Sequence, residues 1–409
     1  MSSNNSLLVI GDDLTGANDT GVMFADASYQ TVLLRDLAVL DRADFSAAQV
    51  FAVSTNCRAK GEEGRELTAQ AVMQAAKCGA GRIYLKIDST MRGSVRYQIA
   101  GALQEWSKIH TDAKAVICPA YPVMGRTIEG GVLYVNGVPV NETPSGKDRI
   151  CPVPTAVMTG LIPGSRALSS ADADTLADKI KQAEEKVLIV DAKDMTDLKE
   201  LGKAVEKLGP AVIPVGSAGL ASCLHPGDPQ ESADKTLPDL GRTLCLISSI
   251  HAVSQEQVET FLNTERGTGS TVFIPANNQL LNAQAQPGLQ AQIKALAALP
   301  SKQLIILANP AALAASVNVA SAATTIAQNM AALAKTALES SKFQSVIIFG
   351  GDGTNAFMKL ENIEQLKLHF SASAGVPLTT IMTGPLKGTA LLTKSGGFGK
   401  SDLLSHLLK

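Results

Sequence analysis

Three short polar segments in the first half of the sequence carry residue types that could act on a small polar acid. GDDLTGANDTG, Gly11–Gly21, places adjacent carboxylates Asp12 and Asp13 directly after an apolar run, followed by Thr15, Gly16 and Asp19 where a helix should begin. Paired carboxylates in that position can bind substrate hydroxyls, hold Mg²⁺ or accept a proton. The same residue types also serve simply to cap a helix and make a turn. KIDSTMRGS, Lys86–Ser94, concentrates a Lys, an Asp, two hydroxyls and an Arg in one turn, and its cations and N–H groups suit an anion. STNCR, Ser54–Arg58, adds Arg58, whose guanidinium could fork onto a carboxylate. Jointly, Asp12, Arg58 and the Lys86–Arg92 group describe a pocket for a small polyhydroxylated acid. Arg126 and Thr127, in the Pro119–Gly131 loop, could face the same pocket or belong to a structural turn.

The second half carries a different chemistry. Val346–Phe349 runs directly into GGDGTN, Gly350–Asn355, and TKSGGFGKSD, Thr393–Asp402, is a second glycine-rich loop with Lys394 and Lys400. Glycines let backbone N–H groups approach phosphates closely, and a following helix points its positive end at them. SSIHAVS, Ser248–Ser254, is a third candidate and holds His251, the one histidine in a suspect loop. Neither glycine loop has the GxxxxGK[ST] spacing of a P-loop. Three such loops in one half favour a nucleotide. No His, Cys or carboxylate cluster has metal-ligand spacing, and no GxSxG elbow occurs, so zinc-hydrolase and serine-hydrolase chemistry fall away.

Short apolar runs must position these loops. Leu7–Ile10, Val50–Val53, Ile83–Ile87, Ala115–Cys118, Val187–Val190, Ala211–Val215, Leu244–Ile247, Leu304–Leu307 and Val346–Phe349 read as buried strands, with helical-period stretches such as Glu62–Lys77 and Asp172–Glu185 between them. Strands alternating with helices predict an α/β fold with mostly parallel sheets, whose ligands bind beyond the carboxyl ends of the strands. Gly130–Thr143, with its Asn-Gly pair, reads as a hairpin. The 409 residues suggest two domains. His225–Gly241, with three prolines and no periodicity, is the best linker, giving domains over 1–230 and 240–409 with the active site expected in the cleft between them. The Ala-rich run Ala308–Ala337 reads as a packing helix and is assigned no function.

Composition limits the partners. With 36 basic and 38 acidic residues the net charge is −2, no footprint for nucleic acid or an anionic membrane, so an anionic ligand must be met by local charges. The six cysteines are scattered without a CxxC pair, which fits a reducing cytoplasm. No apolar stretch approaches a membrane span, and the N-terminus lacks a basic signal region.

GDDLTGAND, KIDSTMRG, PAYPVMGRT with the GVLYVNGVPVNET hairpin, GGDGTN and KSGGFG stand in the order and spacing of the four-carbon acid sugar kinases, and the chain resembles that family over nearly its whole length. The resemblance implies an N-terminal sugar-acid domain and a C-terminal ATP domain. It implies substrate contacts at Asp12, Arg58, Lys86, Asp88, Ser89, Thr90, Met91 and Arg92. Nucleotide contacts are implied at Ser249, His251, Gly350, Gly351, Asp352, Gly353, Thr354, Gly396 and Gly397. ATP with Mg²⁺ is the expected cofactor, with no metal ligand identified, and a homodimer is carried as the assembly. The implied reaction is phosphorylation of the 4-hydroxyl of a tetronate, D-threonate first, with D-erythronate or a 3-oxo-tetronate as alternatives. Where the family shows a Gly-Ser pair, this chain has Ser248 and Ser249 before Ile250 and His251.

Three other readings compete. NAD and diacylglycerol kinases carry a similar GGDGTN signature, but early in the chain. A non-catalytic sugar-acid sensor would usually bring a DNA-binding module. An aldolase or lyase would use Lys86 as a Schiff base. For the kinase, Arg58 and Arg92 are expected to neutralise the substrate carboxylate. Asp12, Asp13 and Asp88 all qualify as proton acceptor. Asp12 is favoured because it comes first after the strand, whereas Asp13 should alternate away and Asp88 sits between cations that weaken it as a base.

Overall fold

A computed structural model describes residues 6–229, 234–311 and 319–409. The chain separates into two compact units, Met1–Ser232 and Ala233–Lys409. Residues 230–233 of the expected linker and 312–318 of the Ala-rich run lie outside the described residues. Beyond that gap, the run forms the helix Val319–Ser340.

The first unit is built on strands β1 (Leu7–Gly11), β2 (Thr31–Leu34), β3 (Val50–Ser54), β4 (Arg82–Lys86), β5 (Lys114–Cys118), β9 (Arg166–Leu168), β10 (Val187–Val190) and β11 (Val212–Gly216). They lie in the order β2-β3-β1-β4-β11-β5-β10-β9. Every pairing among them is parallel. Helices cover both faces of such a sheet, so its central strands are apolar on both sides: β1 and β3 are buried at every residue. The expected hairpin is a separate antiparallel sheet of β6 (Arg126–Glu129), β7 (Val132–Val135) and β8 (Val138–Pro139). Asn136 and Gly137 turn β7 into β8, both in the left-handed region, as that dipeptide predicts.

The second unit repeats the logic with β12 (Thr243–Ile247), β13 (Thr271–Phe273), β14 (Gln303–Leu307) and β15 (Ser345–Phe349), followed by β16 (Gln365–Ser373), β17 (Val376–Ile381) and β18 (Ala390–Lys394). Its order is β13-β14-β12-β15-β18-β17-β16. β18 runs parallel to β15, while β17 is antiparallel to both β18 and β16. All nine apolar runs are strands. The shorter strands β2, β9 and β13 and the antiparallel β16–β18 were not among the expected ones. β16 does show the sign of a one-sided strand, with Leu366, Leu368 and Phe370 buried in alternation.

Aliphatic side chains fill most of the core, and the single tryptophan carries much of the packing in its region. Trp106 ends the helix Val95–Trp106, is 1% exposed, and donates from its indole nitrogen to the Pro210 carbonyl at 2.8 Å. Trp106→Ala is expected to destabilise the first unit by about 3–5 kcal/mol, because the site is sealed and cannot collapse. An earlier unfolding midpoint by far-UV circular dichroism would show it, and an unchanged midpoint would mean that the indole is dispensable.

Candidate functional site

Parallel register places the first three polar segments side by side. Gly11 stands opposite Ser54 of β3 and opposite Lys86 of β4, so the chain leaves all three strands at one level. The loops are then stitched together. Asp12 N–H donates to the Lys86 carbonyl at 3.3 Å, Thr55 donates through both its backbone and its hydroxyl to the Gly11 carbonyl at 2.9 Å, and Cys57 and Arg58 N–H donate to the Asp12 carbonyl. Asn56 and Met91, in the loops after β3 and β4, hold left-handed conformations (φ 50° and 64°). Asn tolerates that region well. A buried Met does so only when its surroundings insist, as functional turns often require.

The charges in these loops neutralise one another in a specific pattern. The Asp12 side chain is completely buried, and Arg58 forks onto both of its oxygens, Nε at 2.6 Å and Nη2 at 2.9 Å. Arg58 Nη1 also reaches Asp13 at 2.6 Å. Asp13 was expected to turn away; instead it caps the helix Leu14–Asp26, accepting from Gly16 N–H, and shares Arg58 with Asp12. Burial, reinforced by Asp13, pushes Asp12 above the usual carboxylate range against the pull of Arg58 and Lys86. The second cluster is centred on Asp88. Its oxygens accept from Thr90 N–H, from the Thr90 hydroxyl, and from Arg92 Nε and Nη2 at 3.0 and 2.9 Å. Burial pulls Asp88 upward, but the hydrogen bonds from Arg92 and Thr90 and the charges of Arg58 and Arg92 outweigh it and hold the carboxylate well below the usual range. Arg92 Nη1 also meets Asp148 at 3.3 Å, itself fixed by N–H donation from Ile150 and Cys151.

Both arginines expected to receive the substrate carboxylate therefore already hold carboxylates of the chain. The cation without such a partner is Lys86. It is 6% exposed, and among the described residues its ammonium has no hydrogen bond and no ion pair. Room for it is made by Gly16: a Cβ there would lie 2.8 Å from Lys86 Nζ and 2.6 Å from Asp13 Oδ1. Ser89 is half-buried, and its hydroxyl is likewise without a partner among the described residues. A cavity of about 480 Å³ borders Arg58 and Met91. Arg126 and Thr127 belong to β6, and the Arg126 guanidinium donates to the Met124 carbonyl, within its own turn.

In the second unit the neighbours β12, β15 and β18 bring their own following loops together. Ser248 donates its hydroxyl to the Phe349 carbonyl, and Ser249 N–H donates to the same oxygen. Gly350 has φ 120°, and a Cβ there would lie 2.4 Å from Ser248 Oγ; at Gly353 the separation would be 2.1 Å. Both glycines thus serve the approach of the Ser248 loop. Gly351 and Asp352 are exposed in the first turn of the helix Gly351–Leu360, and Thr354 is buried with its hydroxyl on the Gly350 carbonyl. His251 caps the helix Ala252–Leu262 through Nδ1, and its ring lies against Gly397. Gly396 packs on Ser249.

Further polar groups organise this region, of which the sequence points to Lys394 and Ser254 but not to Gln257. Lys394, 2% exposed, donates to Ser254 Oγ and to the Gly396 and Phe398 carbonyls at 3.0–3.2 Å and lies 4.4 Å above the Phe349 ring. Burial lowers its pKa to about 8. Gln257 donates to the Phe398 and Lys400 carbonyls, and Ser254 donates to the Gly396 carbonyl. In the first unit Asp148 was missed in the same way. Gln257, Ser254 and Asp148 lie far in sequence from the groups they hold, so no local spacing reveals them.

One unit thus gathers charged strand ends and the other glycine loops, and the comparisons with known proteins make the class a carbohydrate kinase. Residues 7–224 match the profile of a sugar-binding N-terminal domain and residues 244–404 that of a nucleotide-binding C-terminal domain. The chain is 31% identical to the D-threonate kinase of Bordetella bronchiseptica over 97% of this chain and 95% of that one. It is 24% identical to the D-erythronate kinase of Heliobacterium modesticaldum over 97% and 95%. Among solved structures, a Haemophilus influenzae protein shares the fold with a TM-score of 0.77 at 22% identity, covering 98% of both chains. A Bordetella bronchiseptica protein, crystallised as a domain-swapped dimer with bound citrate, gives a TM-score of 0.50 at 29% identity over 98% and 97%. The chain belongs to the four-carbon acid sugar kinase family.

The Asp88 cluster makes a pH-dependent prediction. A carboxylate whose folded pKa is depressed contributes stability that is present above its unfolded value of 3.8 and is lost as pH falls through the folded one. Asp88→Asn should therefore cost about 3–5 kcal/mol at neutral pH, since it strands a half-buried Arg92 and breaks a buried pair. The gap to the parent chain should narrow below pH 3.8. Urea unfolding at several pH values measures both, and a gap independent of pH would remove Asp88 from the account.

Proposed function

We propose that this chain transfers the γ-phosphoryl group of ATP to the 4-hydroxyl of a four-carbon sugar acid, D-threonate being the first candidate and D-erythronate or a 3-oxo-tetronate the alternatives. The single observation that carries the acid assignment is Lys86, a buried ammonium without a partner beside arginines that already have theirs. A substrate carboxylate supplies the missing charge, with the Ser89 hydroxyl and the N–H groups of the Asp88–Arg92 turn as further donors. Asp12 and Arg58 form the rigid floor of that site, and Thr90 and Met91 shape the turn.

On the nucleotide side, Gly350, Gly351, Gly353 and Thr354 offer backbone N–H groups to phosphates at a helix N-terminus. Gly396 and Gly397 close from the second loop, and Ser249 and His251 from the third. Among the described residues no group of three His, Cys, Asp or Glu side chains forms a protein cage for a metal. That fits Mg²⁺ carried on phosphate oxygens and water, with Asp352 the carboxylate at the loop; the ion would neutralise charge on the transferred group. The domain-swapped dimer of the Bordetella bronchiseptica protein supports a homodimer here too, which light scattering would test.

An ATP-consumption assay over a panel of tetronates and their epimers tests the reading: at least one four-carbon acid should support substrate-dependent ADP formation, and silence across the panel would reject it. Lys86→Met should raise KM for the acid by about 10–100-fold while leaving KM for ATP unchanged, as expected for a lost charge-assisted contact of about 1.5–3 kcal/mol. For the other half, Gly353→Ala should weaken nucleotide binding by displacing Ser248, and Ser248→Gly in the same chain should restore part of it. Full affinity in Gly353→Ala, measured by calorimetry with ADP, would make that loop a turn and nothing more.

A further inference from the structure

The kinase reading leaves open which group takes the proton of the attacking hydroxyl. The carboxylates expected for this are engaged elsewhere: Asp12 has both oxygens on Arg58 and no exposed side-chain surface, Asp13 is held by Arg58 and by Gly16 N–H, and Asp88 is held by Arg92 and Thr90. A general base needs a free lone pair within reach of the proton it removes.

Asp19 differs from all of them. It lies in the helix Leu14–Asp26, three residues after Gly16. Residues so spaced are neighbours on one helix face, their Cβ positions about 5–6 Å apart. The Gly16 Cβ position is the point against which Lys86 Nζ comes to 2.8 Å and Asp12 Oδ1 to 3.7 Å, so Asp19 projects from the stripe that faces the Lys86 ammonium. Asp19 is partly buried, and among the described residues it has neither a hydrogen bond nor an ion pair, even with Lys86. Asp19 and Lys86 thus lie close enough to interact electrostatically, with no hydrogen bond or ion pair between them, whereas Asp12, Asp13 and Asp88 are each held by an arginine. A sugar acid carries both an anion, which suits the cation, and a hydroxyl, which suits the carboxylate.

We infer that Asp19 is the proton acceptor of the phosphoryl transfer, an inference that rests on the kinase reading above. In that step the substrate hydroxyl oxygen bonds to the γ-phosphorus and the bond from that phosphorus to the β,γ-bridging oxygen breaks. Its electron pair leaves on ADP, and the hydroxyl proton passes to the Asp19 carboxylate. Burial raises the Asp19 pKa, Lys86 opposes this, and Asp13 adds to it, which moves the group toward the range where a base works best. Besides Lys86 and Asp13, the titratable group acting on it is Tyr121, from the loop after β5, whose own pKa is raised by burial, by Asp19 and by Asp26.

The test is the pH dependence of kcat in the full chain and in Asp19→Asn and Asp19→Glu, with the tetronate that the parent chain turns over. Activity needs the unprotonated base, so kcat of the parent should fall as pH drops, with an acid limb above the ordinary carboxylate range. Asp19→Asn should lose about 10²–10⁴-fold in kcat and lose that limb, with the ADP dissociation constant unchanged. Asp19→Glu should keep a limb at a shifted pH. An Asp19→Asn chain within about threefold of the parent in kcat, or one that keeps the parent's acid limb at a lower rate, overturns the assignment. Should Asp19→Asn fail to fold, Asp19→Glu decides, because an unshifted profile at full rate also overturns it. A parent chain that phosphorylates no tetronate overturns the kinase reading instead, and the assignment falls with it.

Discussion

The Arg58 guanidinium is the interaction on which the first unit's site depends. Asp12 follows a fully buried strand, so its charge has no access to water, and an unpaired carboxylate there would cost several kcal/mol. Arg58 resolves this by forking onto Asp12 and bridging to Asp13. In doing so it draws the loop after β3 over the end of β1. Its backbone carbonyl accepts from Ser94 Oγ and Cys151 Sγ, so the turn after β4 and the segment beyond the small antiparallel sheet are anchored to the same residue. Such a network is rigid, and rigidity is what a site for a small acid needs: the positions of the remaining charges are set before any ligand arrives.

How much of this was legible in the sequence follows from which interactions are local. Short, continuous apolar runs bounded by Gly and Asp mark these parallel strands, because burial on both faces favours apolar residues at every position. Once those strands are parallel and adjacent, Asp12, Arg58 and Lys86 must come together, so their convergence is legible in the sequence. Their pairing is not. Asp12, Asp13 and Asp88 look alike as strand-end carboxylates, and only the side-chain geometry shows that all three are bound and that Asp19, six residues after Asp13, is not. The sequence does not show that Arg58 and Arg92 also pair with the chain's own acids, including Asp148, which reaches Arg92 from 56 positions away. Strands of three or four residues such as β2 and β13 carry too few positions for any period to show.

The glycine loops illustrate a related ambiguity. Gly350 and Gly353 were read as places where backbone meets phosphate, yet the atom that any side chain there would strike is Ser248 Oγ. The two requirements do not conflict. A loop that packs this closely on its neighbours presents its N–H groups in a fixed array, and a fixed array of donors is what stabilises charge on a transferring phosphoryl group without reorganisation. Here the chain has Ser248 and Ser249 where the family shows Gly-Ser. The glycines of the facing loop accommodate the extra hydroxyl.

Two buried lysines complete the comparison, and they differ in the one property that separates a structural cation from a ligand-binding one. Lys394 is saturated, its ammonium shared among Ser254 and two carbonyls of its own loop and resting on the Phe349 ring. It acts as an internal ion that holds the Gly396–Phe398 backbone in place, and an incoming anion would have to strip it of those contacts first. Lys86 lies as deep but keeps every N–H free among the described residues. With no hydrogen bond of its own among those residues, that ammonium is open to an incoming anion. Asp12 and Asp19 act on it electrostatically without a hydrogen bond or ion pair to it. The neighbouring acids thus leave the hydrogen bonds of Lys86 unspent, which is what the proposed binding of a substrate carboxylate would draw on.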